Sequence, residues 1–152
     1  MRVKVLFFII FTVFLEAKDY RISKPLAWRG LTLNYSAISL YGKNKFSTIQ
    51  KSNKIELIVP KITISDKENI SIKITSTLKA KSLAIFKDKS PYHLIAIFDL
   101  NDKSIIDYEL NIRLDIKNTI FSVIEGVDGQ LYYKRAFIDI LCLACVSGDK
   151  ND

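Results

Sequence analysis

Tyr108-Glu109-Leu110-Asn111-Ile112-Arg113-Leu114-Asp115-Ile116 alternates polar and apolar side chains without a break. A repeat of two is the signature of a half-buried β-strand, because successive side chains point to opposite faces of the sheet. A helix buried on one side would repeat near 3.6 instead. The same period runs outward in both directions. Upstream, Ile55, Leu57 and Val59 alternate up to Pro60, then Ile62 and Ile64, then Ile70, Ile72 and Ile74, and Leu83 and Ile85 form a short piece. Leu94 to Phe98 is continuously apolar, as expected of a strand buried on both faces. Downstream, Phe121 and Val123 lead to Asp128-Gly129, followed by Leu131, Tyr133, Phe137 and the segment 138–140.

The breaks between these runs are turn chemistry. Asp128-Gly129 predicts a two-residue hairpin with φ > 0 at both central positions. Segments 65–69 and 87–91 are polar turns, and Lys43-Asn44-Lys45 and Asn101-Asp102-Lys103 serve the same purpose. Six or seven short strands at this spacing predict an all-β, immunoglobulin-like β-sandwich of two sheets. Pro25 to Tyr41 fits neither period cleanly. It is expected to form one short helix packed on an edge of the sandwich, with Gly42 at its C-terminus.

The N-terminus reads as an export signal. Met1-Arg2-Val3-Lys4 is a basic start, Val5 to Leu15 is almost entirely apolar, and Ala17 is a small residue before a polar stretch. The run is shorter than the roughly twenty apolar residues of a membrane span. Cleavage after Ala17 is the expectation, with an uncleaved anchor as the alternative. No twin-arginine pair precedes the apolar run, which points to the general secretion route. The chain therefore divides into a signal peptide (1–17), an N-terminal segment with a short helix (18–50), a sandwich (51–145) and a C-terminal tail (146–152).

The 152-residue chain has 23 Lys and Arg against 16 Asp and Glu. Without Arg2, Lys4 and Glu16 of the signal, 21 basic and 15 acidic residues remain. The lysines are dispersed among isoleucines and acidic residues, as on the solvated face of a sheet, and form no dense block. Nucleic acid is not an expected partner, nor is a membrane once the signal is removed. A basic surface does raise the local concentration of small anions.

The chemical inventory is short. One histidine, His93, excludes a metal site built on several histidines. No Gly-rich phosphate loop and no nucleophile elbow is present. His93, in Ser90-Pro91-Tyr92-His93, is expected to be structural, at the entrance of a strand. Two cysteines stand near the C-terminus, in Leu141-Cys142-Leu143-Ala144-Cys145-Val146. A c-type haem site would need a histidine where Val146 stands. A structural zinc would need two more ligands, and only His93 is left. A thioredoxin-like pair normally opens a helix, and the context here is β. A disulfide and a free thiol remain open. Three residues of extended strand separate Cα atoms by about 10 Å, whereas a disulfide needs them within about 7 Å. The strand must end before Cys145 if the two are to join.

From Ile55 onward the chain resembles the sulfur-oxidation carrier family SoxY. Segment 55–62 looks like the family's I-x-L-x-x-P opening strand. Segment 90–98 is similar to its N-P-x-P-L-A-x-x-F stretch. Arg113 fits a basic strand position, and Val123 to Tyr132 looks like the penultimate hairpin. Segment 138–140 then leads to the terminal cysteine. The resemblance implies a periplasmic, immunoglobulin-like protein without cofactor or metal. Such a protein is paired with a small SoxZ-like β subunit and is acted on by periplasmic Sox enzymes rather than being an enzyme itself. It further implies that Cys145 is the covalent attachment site for sulfur intermediates of thiosulfate oxidation, with the thiolate as nucleophile and tether.

The arm departs from the family's Gly-Gly-Cys-Gly-Gly ending. Leu143 and Ala144 replace the two leading glycines, Gly148 follows only after a gap, and Cys142 is additional. Leu and Ala make a stiffer arm than two glycines. Asp149 and Asp152 disfavour a nearby thiolate, while Lys150 favours it. Two readings result. One is a sulfur carrier using Cys145. The other is a non-catalytic exported interaction protein in which Cys142, as disulfide partner rather than second thiol, closes on Cys145.

Overall fold

A computed structural model describes residues 19–65, 69–89 and 91–142. The expected signal segment, most of the 65–69 turn, Ser90, Cys145 and the 146–152 tail lie outside the described residues. Four short helices come first: α1 (Tyr20–Ser23), α2 (Pro25–Arg29), α3 (Leu33–Tyr41) and α4 (Lys43–Ser47). Nine strands follow: β1 (Gln50–Lys51), β2 (Ile55–Ile58), β3 (Ile62–Ser65), β4 (Asn69–Ser76), β5 (Ala80–Lys87), β6 (Leu94–Asp99), β7 (Ile106–Arg113), β8 (Asn118–Gly126) and β9 (Leu131–Cys142).

The strands build the two sheets of a β-sandwich. The larger has the order β1-β9-β8-β5-β6, with β3 also pairing β9, and the smaller is β2-β4-β7. Alternation places Ile55 and Leu57 of β2, Ile70, Ile72 and Ile74 of β4, and Ile106 and Ile112 of β7 on the inner face of the small sheet. They meet Leu83, Ile85, Ile120, Ile124 and Ile138 from the large sheet. The antiparallel β4–β7 pair aligns Ile70 with Ile112, Ile72 with Leu110 and Ile74 with Tyr108. The Tyr108 ring also stacks on Phe98, with ring centroids 5.0 Å apart.

The strand buried on both faces is β5, not segment 94–98. Leu83, Ala84, Ile85 and Phe86 are each fully buried, because β5 lies between β6 and β8 and is covered on both sides. In β6 only Leu94 is buried, Ile95 to Phe98 are half-exposed and Asp99 is exposed, since β6 forms an edge of the large sheet.

The outward side of β5 explains the helices. Ala84 and Phe86, with Val123 and Leu131, leave an apolar outer face on the large sheet, and Ala27, Ala37 and Leu40 pack on it. The expected single helix on a sandwich edge is thus four helical segments laid across a sheet face. Lys43-Asn44-Lys45, expected as a turn, begins α4. Asp19 caps α1 by accepting from the Arg21 N–H, Pro25 opens α2, and Thr32 caps α3 by accepting from the Tyr35 N–H. Gly42 ends α3, as expected, at φ 87°. Helices this short hold little structure alone, so packing on the sheet and a few tethers fix them. Tyr20 donates to Asp99, Lys45 pairs with Glu125, and the Gln130 amide donates to the Thr48 carbonyl.

The β8–β9 hairpin also differs from expectation. Of its loop residues only Gly129 has positive φ, at 81°. Its N–H bonds the Gly126 carbonyl, and the Gly126 N–H bonds the Gln130 carbonyl. This is a longer loop with one left-handed residue rather than a two-residue turn with two. Asp128 selects it, accepting from the Gln130 N–H at 3.0 Å and the Tyr132 hydroxyl at 2.8 Å.

Two outcomes follow for stability. A Cβ on Gly30 would lie 2.2 Å from Ser36 Oγ and 2.9 Å from Ser36 N, between α2 and α3. Gly30→Ala should cost about 1–3 kcal/mol in urea unfolding, through overpacking. The hydrogen bonds from Gln130 and Tyr132 hold the Asp128 carboxyl below its usual range. A depressed folded value gives stability that is complete above the unfolded value of about 3.9 and lost as pH falls through the folded value. Asp128→Asn should therefore flatten the acid limb of the urea midpoint below about pH 4. An unchanged limb would place the acid sensitivity elsewhere.

Candidate functional site: the end of the last strand

At its start, β9 runs beside β1, pairing Gln50 with Tyr132 and Lys51 with Tyr133. Along most of its length it is antiparallel to β8, from Glu125–Leu131 to Asn118–Ile138. Beyond Ile138, β8 has ended. The last four residues of β9 pair instead with β3, in parallel, from Ile62–Asp139 to Ser65–Cys142. The sequence permits this because Pro60 breaks the chain after β2 and returns it to the large sheet as β3. The ladder continues back through the Asp139 N–H, which donates to the Lys61 carbonyl at 2.9 Å.

Cys142 is therefore the last residue of β9, in backbone register with Ser65. The strand remains extended up to the first cysteine. A bridge to Cys145 would require the chain to turn within the three residues that follow. Cys145 itself lies outside the described residues.

This end of the large sheet is pinned by two buried polar side chains. One is His93, expected as structural and 6% exposed. Its Nδ1 lies 2.9 Å from the Lys87 carbonyl and its Nε2 3.3 Å from the Leu31 carbonyl. The Lys87 N–H donates to the His93 carbonyl in return. The ring thus joins the β5–β6 connection to the segment between α2 and α3. The other is Asn118, 1% exposed at the start of β8. Its Oδ1 accepts from the Lys89 N–H at 2.9 Å and its Nδ2 donates to the Lys89 carbonyl at 3.0 Å. Sequence reading missed Asn118, because its partner is far along the chain and no spacing rule links the two. An amide opening an alternating apolar run was the only available signal.

Arg113 ends β7 on the small sheet, exposed and in register with Asn69, away from this ladder. A separate polar cavity of about 280 Å³ is bounded by Tyr20, Tyr41, Lys45, Ser82 and Glu125. Burial pushes the Tyr41 phenol far above its usual range. Burial, and then the hydrogen bond to Asp99, do the same for Tyr20. Both stay protonated, so neither supplies a phenolate nucleophile. Among the described residues, no group of three or more His, Cys, Asp and Glu could hold a metal ion.

These features define a β-sandwich capped by helices on one sheet, with a cysteine-bearing segment continuing from the end of its longest strand. Residues 39–145 match the family model described as sulfur oxidation protein SoxY, and the chain belongs to that family. No curated protein sequence matches it. Among solved structures, the sulfur carrier protein SoxY from Chlorobium limicola f thiosulfatophilum superposes with a TM-score of 0.65 at 18% identity, covering 72% of this chain and 96% of that one. The superoxide reductase (neelaredoxin) from Ignicoccus hospitalis gives a TM-score of 0.51 at 8% identity, covering 59% of this chain and 81% of that one. A variant of the same reductase gives 0.55 at 7% identity, covering 63% and 97%. At these identities the likeness is one of fold, and a fold shared by differently named proteins does not choose a function.

His93→Ala should lower the urea midpoint by the equivalent of about 1–3 kcal/mol, because it leaves a backbone carbonyl without its donor in a buried setting. The far-UV spectrum should be retained. A variant as stable as the parent would show that the ring does not tie the helices to the sheet.

Proposed function

We propose that this chain is a periplasmic sulfur carrier of the SoxY type, with Cys145 as the covalent attachment site. The observation that carries the reading is the reach of the family match, which runs from within α3 to residue 145 and so includes the second cysteine. The fold agrees with it. A carrier needs a rigid body and a projecting thiol, and β9 delivers Cys142 at the end of the sheet with its register fixed by β3.

In chemical terms, the Cys145 thiolate couples to the outer sulfur of thiosulfate. The S–S bond forms as the thiol loses its proton and two electrons pass to an external oxidising enzyme. The product is a cysteine S-thiosulfonate. Hydrolysis by a second enzyme releases sulfate and leaves sulfur on the cysteine. This chain supplies the tether, and the catalysts are separate proteins. A SoxZ-like β subunit is the proposed partner. Leu143 and Ala144 give a stiffer arm than glycines would, so each docked pose samples fewer conformations.

Intact mass spectrometry tests the reading. Incubation with thiosulfate and Sox oxidising enzymes should add sulfur-containing mass that reductant removes, and Cys145→Ser should abolish the gain while Cys142→Ser retains it. If neither thiol alkylates before reduction and no adduct forms, the chain is instead an interaction protein closed by a Cys142–Cys145 disulfide.

A further inference from the structure

The N-terminal helices do more than cover β5. Where α1 and α2 meet the start of β6, Arg21, Trp28, Arg29 and Tyr92 line a cleft of about 410 Å³. A second cavity of about 570 Å³ adjoins it, sharing Arg29 and Tyr92 and reaching His93. Volumes of this size suit small ligands. No carboxylate lines either cavity.

Three observations give the cleft its chemistry. The Arg21 guanidinium stacks over the Trp28 ring, 5.0 Å from its centroid. Stacking restrains the guanidinium plane and leaves its edge able to donate. Among the described residues neither Arg21 nor Arg29 has an ion pair, and the acidic side chains that do pair with cations bind Lys45 and Lys73. Finally, Tyr92 has φ 66°, the one non-glycine residue with positive φ among those described, and it is 66% exposed. Backbone strain that presents an aromatic ring at the surface is a cost that a binding role explains.

We propose that this cleft is a binding site for a small divalent oxyanion. The two guanidinium groups, both solvent-exposed, supply charge-assisted donors to one cleft, and Trp28 and Tyr92 supply aromatic walls beside them. The site lies at the same end of the large sheet as Cys142. Strand register places the start of β6 beside the end of β5, the end of β5 beside the start of β8, and the start of β8 beside the end of β9. Arg21, Trp28 and Arg29 precede the family match at residue 39. The site is independent of the Cys145 reading.

Trp28 is the sole tryptophan of the chain, so its emission reports on the cleft. The full protein carrying Cys145→Ser is titrated with sodium thiosulfate, sodium sulfate and sodium phosphate at ionic strength held constant with chloride. A saturable change is expected for at least one of the three. Arg29→Gln should weaken it about tenfold or more, as befits loss of a charge-assisted hydrogen bond, whereas Lys103→Gln, in the β6–β7 turn, should not. Tyr92→Gly should weaken binding while stability in urea is kept or raised, since glycine relieves the left-handed backbone. That combination separates a binding role from a structural one. A linear response matching chloride for all three anions, or an unchanged midpoint in Arg29→Gln, overturns the site. Sulfur loading on Cys145 without saturable anion binding would sink this site alone. Anion binding without loading would sink the carrier reading alone.

Discussion

Everything in this structure depends on β5 being apolar on both faces. Leu83 and Ile85 turn inward to the small sheet, while Ala84 and Phe86 turn outward. A sheet with one apolar face satisfies itself by stacking on a second sheet. A strand with two such faces needs a third layer, and α1 to α4 supply it. Helices of four to nine residues would not persist alone. They exist because the outer face of β5, β8 and β9 must be removed from water, worth about 25 cal/mol per Å² of apolar surface. Asp19 and Thr32 then fix where α1 and α3 begin, and Gly42 fixes where α3 ends.

Polar groups control one end of the same sheet. His93 and Asn118 are buried where β5, β6 and β8 turn or begin, and both bond backbone of the β5–β6 connection. Buried polar side chains are costly unless satisfied. Satisfied, they fix a connection in place more specifically than apolar contact does. The result is a firm platform at the end of the large sheet where β9 ends at Cys142.

The sequence was legible where one face of a strand meets the core. Ile55 and Leu57, Ile70 to Ile74, and the β7 residues alternate in sequence and are buried in alternation. It was misleading where both faces are covered. Leu83-Ala84-Ile85-Phe86 reads as a short apolar piece because two buried faces erase the period, while the edge strand 94–98 is apolar enough to look central. Gly42 was readable as a helix end because its φ requires glycine. The number of helices was not, because their cause lies in β5, β8 and β9 rather than in their own propensities. The turn at Asp128-Gly129 was placed correctly but given the wrong geometry, since the Asp128 carboxylate bonds Gln130 and Tyr132 in a loop one residue longer. Of the candidate site, the two cysteines could be read from sequence. The Arg21–Trp28–Arg29 cleft could not, because Tyr92 joins it only through the fold.

The position of β9 also has a temporal meaning. It is the last of the described strands, yet β1 and β3, both from the first half, have it as their only strand partner among the described residues, and β8 has it along one whole edge. A chain synthesised only through Gly129 leaves an open edge on β8 and two orphan strands upstream. Contacts that join distant parts of a sequence form late and slowly. The large sheet therefore cannot close until β9 is available, and Cys142, the last residue of β9, enters the sheet in the same event that completes it.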